Sequence, residues 1–75
     1  MKFNFKKFGE AIKLKRTDGK TTHDKPYSIQ ALSIHLGISI TNIFRAEIGR
    51  SINSEDLIIL GKWAGLDLYD FLENS

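Results

Sequence analysis

Few side chains in this 75-residue chain have the chemistry to make or break bonds. His23 and His35 lie far apart in the sequence, and cysteine is absent. Neither histidine has a glycine-rich phosphate loop or a paired acid beside it, so each reads as a surface polar group. Glu55-Asp56 and Asp67 with Asp70 stand where helices would begin, and carboxylates there complement the helix dipole rather than form a catalytic or metal pair. No enzyme activity, metal or cofactor is expected.

What remains is binding chemistry. Residues 1–27 hold eight Lys or Arg against Glu10, Asp18 and Asp24, a balance of +5. Residues 28–75 hold Arg45, Arg50 and Lys62 against six acids, a balance of −3. A basic N-terminal arm suits contact with phosphate, although a solvated helix face and a lysine-rich loop would have the same composition.

The elements that position these groups come from one small core. A chain of this length buries only about 60% of its unfolded surface, which leaves room for one domain over residues 1–75. Without cysteine it has no disulfide or thiolate zinc site to add stability. The core must come from Phe, Leu, Ile and the single Trp. The longest apolar run, at residues 57–60, falls far short of the roughly 20 residues that span a bilayer, and no signal-peptide core follows Met1. A soluble cytoplasmic protein with no membrane contact is the expectation.

Residues 1–5 (MKFNF) alternate apolar and polar, as either an extended or a flexible arm. From 6 to 16 the period becomes helical, with Phe5, Phe8, Ala11 or Ile12, and Lys15 on one stripe. Residues 17–27 (TDGKTTHDKPY) are polar and carry the turn pair Asp18-Gly19 and the only proline, so they form a long loop with room for a small hairpin. Ser28 caps a helix over 29–36, and Gly37 is placed to take the left-handed conformation that turns the chain. Ser39 caps the next helix, 40–47. Asn53 or Ser54 caps a fourth, over 54–64, whose inward face is Leu57, Leu60, Gly61 and Ala64. Asp67 starts a fifth, 68–74. Five helices and no convincing strand make an all-α domain.

Residues 28–49 (SIQALSIHLGISITNIFRAEIG) therefore read as two short helices meeting at a corner, the layout of a helix-turn-helix. Small Ser33 allows a close crossing, while Ile38 and Ile43 plug the wedge between the helices. On a wheel of about 100° per residue, with Ile43 and Ala46 inward, Thr41 and Arg45 point outward. Ile40 and Phe44 lie on the outer flank and Asn42 on the opposite edge.

In this order the elements resemble the Cro/C1-type, lambda-repressor-like helix-turn-helix family over nearly the whole chain. The resemblance is carried by Phe8-Gly9-Glu10, Leu32-Ser33, Leu36-Gly37-Ile38-Ser39, Ile43, Glu47-Ile48-Gly49, Leu57, Leu60, Trp63-Ala64-Gly65-Leu66, Leu68 and Phe71-Leu72. It implies a small transcriptional regulator that lays its third helix in the major groove. Carried over, Thr41 and Arg45 become base readers, with Ile40, Phe44 and Asn42 beside them, and Arg45 able to take a guanine bidentately. Ser28, Gln30 and Ser39 would face one stretch of phosphate, Arg50, Ser51, Asn53 and Ser54 another, with Lys2, Lys6 and Lys7 of the arm adding a backbone or minor-groove contact.

The implied partners are double-stranded DNA and a second copy of the chain, since one recognition helix covers few bases. The homodimer would use the fifth helix through Leu68, Tyr69, Phe71 and Leu72. No small-molecule ligand is expected. One departure from the family stands out. Ile40 and Phe44, with Ile29 near by, are apolar where readers of this family often carry polar groups. Three readings fit them: contact with thymine methyls, a surface for a second regulator protein, or burial under the long loop. The competing functional class is accordingly a protein-interaction module, a phage-type modulator or antirepressor on the same fold.

Overall fold

A computed structural model describes residues 1–18 and 27–74. The order is β1 (Lys2–Phe3), α1 (Phe5–Asp18), α2 (Ile29–Leu36), α3 (Ile40–Glu47), α4 (Ser54–Ala64), a 3₁₀ turn (Leu68–Phe71) and β2 (Leu72–Glu73). The hairpin expected on Asp18-Gly19, together with His23 and the rest of 19–26, lies outside the described residues. Thr17 and Asp18, expected in the loop, are the last residues of α1.

Each helix begins on a side chain that accepts a hydrogen bond from the otherwise unpaired amides of its first turn. Asn4 Oδ1 takes the Lys7 amide at 2.9 Å, and Ser28 Oγ takes that of Ala31 at 3.0 Å. Ser39 Oγ takes the Asn42 amide at 3.1 Å, and Asn53 Oδ1 that of Asp56 at 2.8 Å. At the corner, Gly37 adopts φ +72°, which an L side chain enters only with strain. The Ser33 hydroxyl donates across this corner to the Ile38 carbonyl, so Ser33 also ties the two helices together.

The core is Phe8 and Ile12 of α1, Leu32 of α2, Ile38, Ile43 and Ala46 at and after the corner, Leu60 and Ala64 of α4, and Phe71. The expected plugs Ile38 and Ile43 are both buried. Burying each large side chain contributes about 1.5–3 kcal/mol. Leu57 and Trp63 pack against the edge of this cluster.

The fifth helix and the absence of strands are both corrected. Residues 68–71 make one 3₁₀ turn, and the chain then extends as β2, antiparallel to β1 with Lys2 opposite Glu73 and Phe3 opposite Leu72. The domain is thus mostly helical with a two-stranded sheet, and its arm is extended. The physical reason is aromatic. Phe3 packs on Phe8 and on Phe71 with ring centroids 5.5 and 6.0 Å apart, and Phe8 meets Phe71 edge-on at 5.4 Å. This cluster draws the two termini together, and the Asn4 amide donates to the Phe71 carbonyl at 2.7 Å. A helix of seven residues has little cooperative stability to set against such pairing.

Two contacts fix α3 against α1. A Cβ on Gly9 would lie 2.0 Å from the Ala46 carbonyl oxygen, so the helix backbones touch where only hydrogen fits. Farther along, Arg16 forks onto Glu47, with Nη2 to Oε1 at 2.9 Å and Nε to Oε2. The same guanidinium donates from Nη1 to the Tyr27 carbonyl at 3.0 Å, and the Tyr27 amide donates to the Arg16 carbonyl. Arg16 therefore pins both the entry to α2 and the end of α3, a role its place in a lysine-rich helix did not suggest.

Two outcomes follow. An alanine inside a helix normally stabilises relative to glycine by roughly 0.5–1 kcal/mol, but Gly9→Ala is expected to destabilise by about 1–3 kcal/mol because backbone carbonyls cannot retreat. Thermal unfolding checks this; a raised Tm contradicts the close crossing. Arg16→Met, which leaves the Glu47 carboxylate buried and unpaired, should cost about 3–5 kcal/mol in urea unfolding. Adding Glu47→Leu to it should recover most of that loss.

Candidate nucleic-acid interface

With Ile43 and Ala46 buried, the outward side of α3 presents Thr41 and Arg45, both exposed. Arg45 forms no ion pair among the described residues, and the single acid of α3, Glu47, is held by Arg16 with its side chain 5% exposed. The outward face of α3 therefore carries a cation and no competing carboxylate of its own. Its first turn, like that of α2, holds no acid either.

Asn42 stands apart from the other expected base readers. Its amide donates from Nδ2 to Asp56 Oδ2 at 2.7 Å and is half-buried. Asn53 Nδ2 also reaches Asp56 Oδ2, at 3.3 Å. Asn42 thus braces α3 against the beginning of α4. Asp56, expected only as a dipole-complementing acid, is the hub of that brace. Spacing could not reveal the link, because the two residues lie on different helices.

The expected phosphate groups divide in two. At α2, Ser28 and Gln30 are exposed, and the Ser28 oxygen that caps the helix keeps its own hydrogen free to donate outward. Ser39 does the same at α3. At α4, Arg50, Ser51, Asn53 and Ser54 are exposed, but Glu55 and Asp56 already place carboxylates at that helix end. The beginning of α2 is electrostatically the better anion site.

Lys6 and Lys7 are exposed on the first turn of α1. Lys6 lies against the turn that ends α3, since a Cβ on Gly49 would come within 3.0 Å of its Cα. Lys2, Lys6, Gly49, Asn4 and Glu73 share an open polar depression there. Lys2 and Lys6 are thus brought to the C-terminal end of α3, together with the Glu73 carboxylate.

The outer flank of α3 is apolar and open to solvent: Ile40 is 49% exposed and Phe44 52%, while Ile29 is half-buried. Ile48, expected only as part of the helix ending, is 52% exposed. Its amide donates to the Phe44 carbonyl at 3.1 Å, continuing the helical bonding, so it extends the same stripe. The interval of four from Ile40 to Phe44 to Ile48 was the signal that could have found it.

The surface expected for pairing of two copies is rearranged. Phe71 is buried in the core and unavailable, whereas Leu68, Tyr69 and Leu72 line an open apolar groove of about 240 Å³ with Phe3 and Leu57. Among the described residues no group of three His, Asp or Glu side chains is arranged to hold a metal ion, and no helix is long and apolar enough to cross a membrane. Comparisons with family models, curated proteins and solved structures find no match, so any functional reading stands on this geometry and on the motifs of the chain.

Proposed function

We propose that this protein is a sequence-specific DNA-binding regulator of helix-turn-helix type, which places α3 in the major groove and acts by occupying a promoter or operator. The observation that carries the proposal is Arg45. It stands outward beside Thr41 on a helix whose only acid is turned away and neutralised by Arg16. A guanidinium so presented can take the O6 and N7 acceptors of guanine, and the Thr41 hydroxyl can bond a neighbouring base. Ser28 and Gln30 at the start of α2, with Arg50 and Lys6 beyond the end of α3, supply phosphate contacts on either side. Two copies paired through the groove of Leu68, Tyr69 and Leu72 would present two such helices to a two-fold site.

A second reading is favoured by one observation, the half-exposed Ile40 and Phe44. On that reading the same face docks another regulator and the chain is a modulator rather than a DNA reader.

Fluorescence anisotropy with random and genomic duplexes at two salt concentrations separates the two. DNA binding predicts an affinity that falls steeply with salt, the logarithmic slope being about −0.9 for each phosphate neutralised. Arg45→Ala should lose about 1–3 kcal/mol on the preferred sequence and relax specificity, whereas Lys6→Ala should weaken all sequences alike and reduce the slope by about 1. Absence of binding at low salt contradicts the proposal, and capture of one protein partner that is lost on Phe44→Ala supports the second reading.

A further inference from the structure

The brace between α3 and α4 engages groups that also suit a partner from outside. Asp56 Oδ2 accepts from Asn42 Nδ2 at 2.7 Å and from Asn53 Nδ2 at 3.3 Å. Both donors are side-chain amides, and among the described residues no cation pairs with this carboxylate. Neutral amides solvate a charge without cancelling it. Asp56 therefore remains an anion, half-buried between the first turns of two helices. The Asn53 side chain is engaged at both atoms, because its Oδ1 accepts the Asp56 backbone amide at 2.8 Å while its Nδ2 serves the carboxylate.

Side-chain amides of this kind are donors that nucleic-acid phosphates commonly take. These two converge in the stretch that also exposes Arg50, Ser51 and Ser54. Asp56 thus holds from within the two donors that a phosphate oxygen would take from outside, and its charge opposes the approach of that oxygen.

Resting on the DNA-binding reading above, we infer that Asp56 is a positioning residue that limits sequence-independent affinity for DNA by holding the Asn42 and Asn53 amides away from the phosphate backbone. The residue lies on α4 and reads no base. What it sets is the protein concentration at which DNA of any sequence is occupied.

Asp56→Ala tests this, since the cap bond from the backbone amide of residue 56 to Asn53 does not need the carboxylate. The variant, with its fold checked by circular dichroism, should bind a short random duplex at fixed low salt about tenfold more tightly than wild type, as for one added hydrogen bond to a charged group. A damaged fold would weaken binding, so a gain is a readout that a merely structural role does not produce. Asn42→Ala in the Asp56→Ala background should remove much of the gain. Glu55→Gln takes a charge from the same helix end without freeing an amide and should tighten binding less than Asp56→Ala does. Asp56→Asn, which keeps an acceptor for the Asn42 amide and guards against loss of fold, should tighten binding by a smaller factor in the same direction. Unchanged or weaker binding by the folded Asp56 variants overturns the inference and leaves DNA binding by wild type standing. The full gain retained without Asn42, or equalled by Glu55→Gln, overturns it as well, because charge alone then accounts for the change. No binding by wild type or any variant at low salt overturns both readings.

Discussion

The contact on which the rest of this structure depends is the crossing of α1 behind α3. At Gly9 the two backbones meet with no room for a Cβ, and at Arg16 a bidentate ion pair locks the guanidinium to Glu47. Lys6, at the other end of α1, packs on Gly49. Three points along one helix therefore fix the second half of α3, and what α3 shows to solvent is decided by what α1 holds from behind. Because Arg16 also binds the Tyr27 carbonyl, the same side chain sets where the chain enters α2. The rings of Tyr27 and Trp63 then meet nearly perpendicular with centroids 5.9 Å apart, which joins that entry to α4.

This arrangement explains the electrostatic character of the α3 surface better than composition does. The net charge of residues 28–75 is negative, yet the one acid within α3 and the one that α3 touches are both used internally: Glu47 by Arg16, and Asp56 by Asn42 and Asn53. Arg45 is left as the exposed charge of α3. A buried ion pair contributes little net stability, because desolvation offsets most of the attraction. Its effect here is geometric and electrostatic, since it orients a helix and removes a carboxylate from the outward face.

The helices from 29 to 64 were legible in the sequence because their signals are local. Ser28, Ser39 and Asn53 cap, Gly37 turns, and the 3.6-residue period marks Leu32, Ile43 and Leu60 for burial. The end of the chain was misread because its determinant is distant. Leu68 to Leu72 looks helical by itself, and only the clustering of Phe3, Phe8 and Phe71 makes extended pairing with the N-terminus preferable. Arg16 with Glu47 and Asn42 with Asp56 were invisible for the same reason: no spacing rule connects residues on separate helices. Among the candidate site residues, Thr41 and Arg45 were placed by the helical wheel, whereas Asn42 was drawn into the brace to α4.

The proposed DNA-binding surface is the outward face of α3 together with the start of α2. The most direct measurement is an amide NMR titration of the uniformly labelled protein with a short duplex at low salt. Shift changes are expected at residues 28–31, 39–45 and 48–51, with the Arg45 side-chain resonance among the largest, all reversed by added salt. Changes confined to the groove of Phe3, Leu57, Tyr69 and Leu72, or no changes at all, would contradict it.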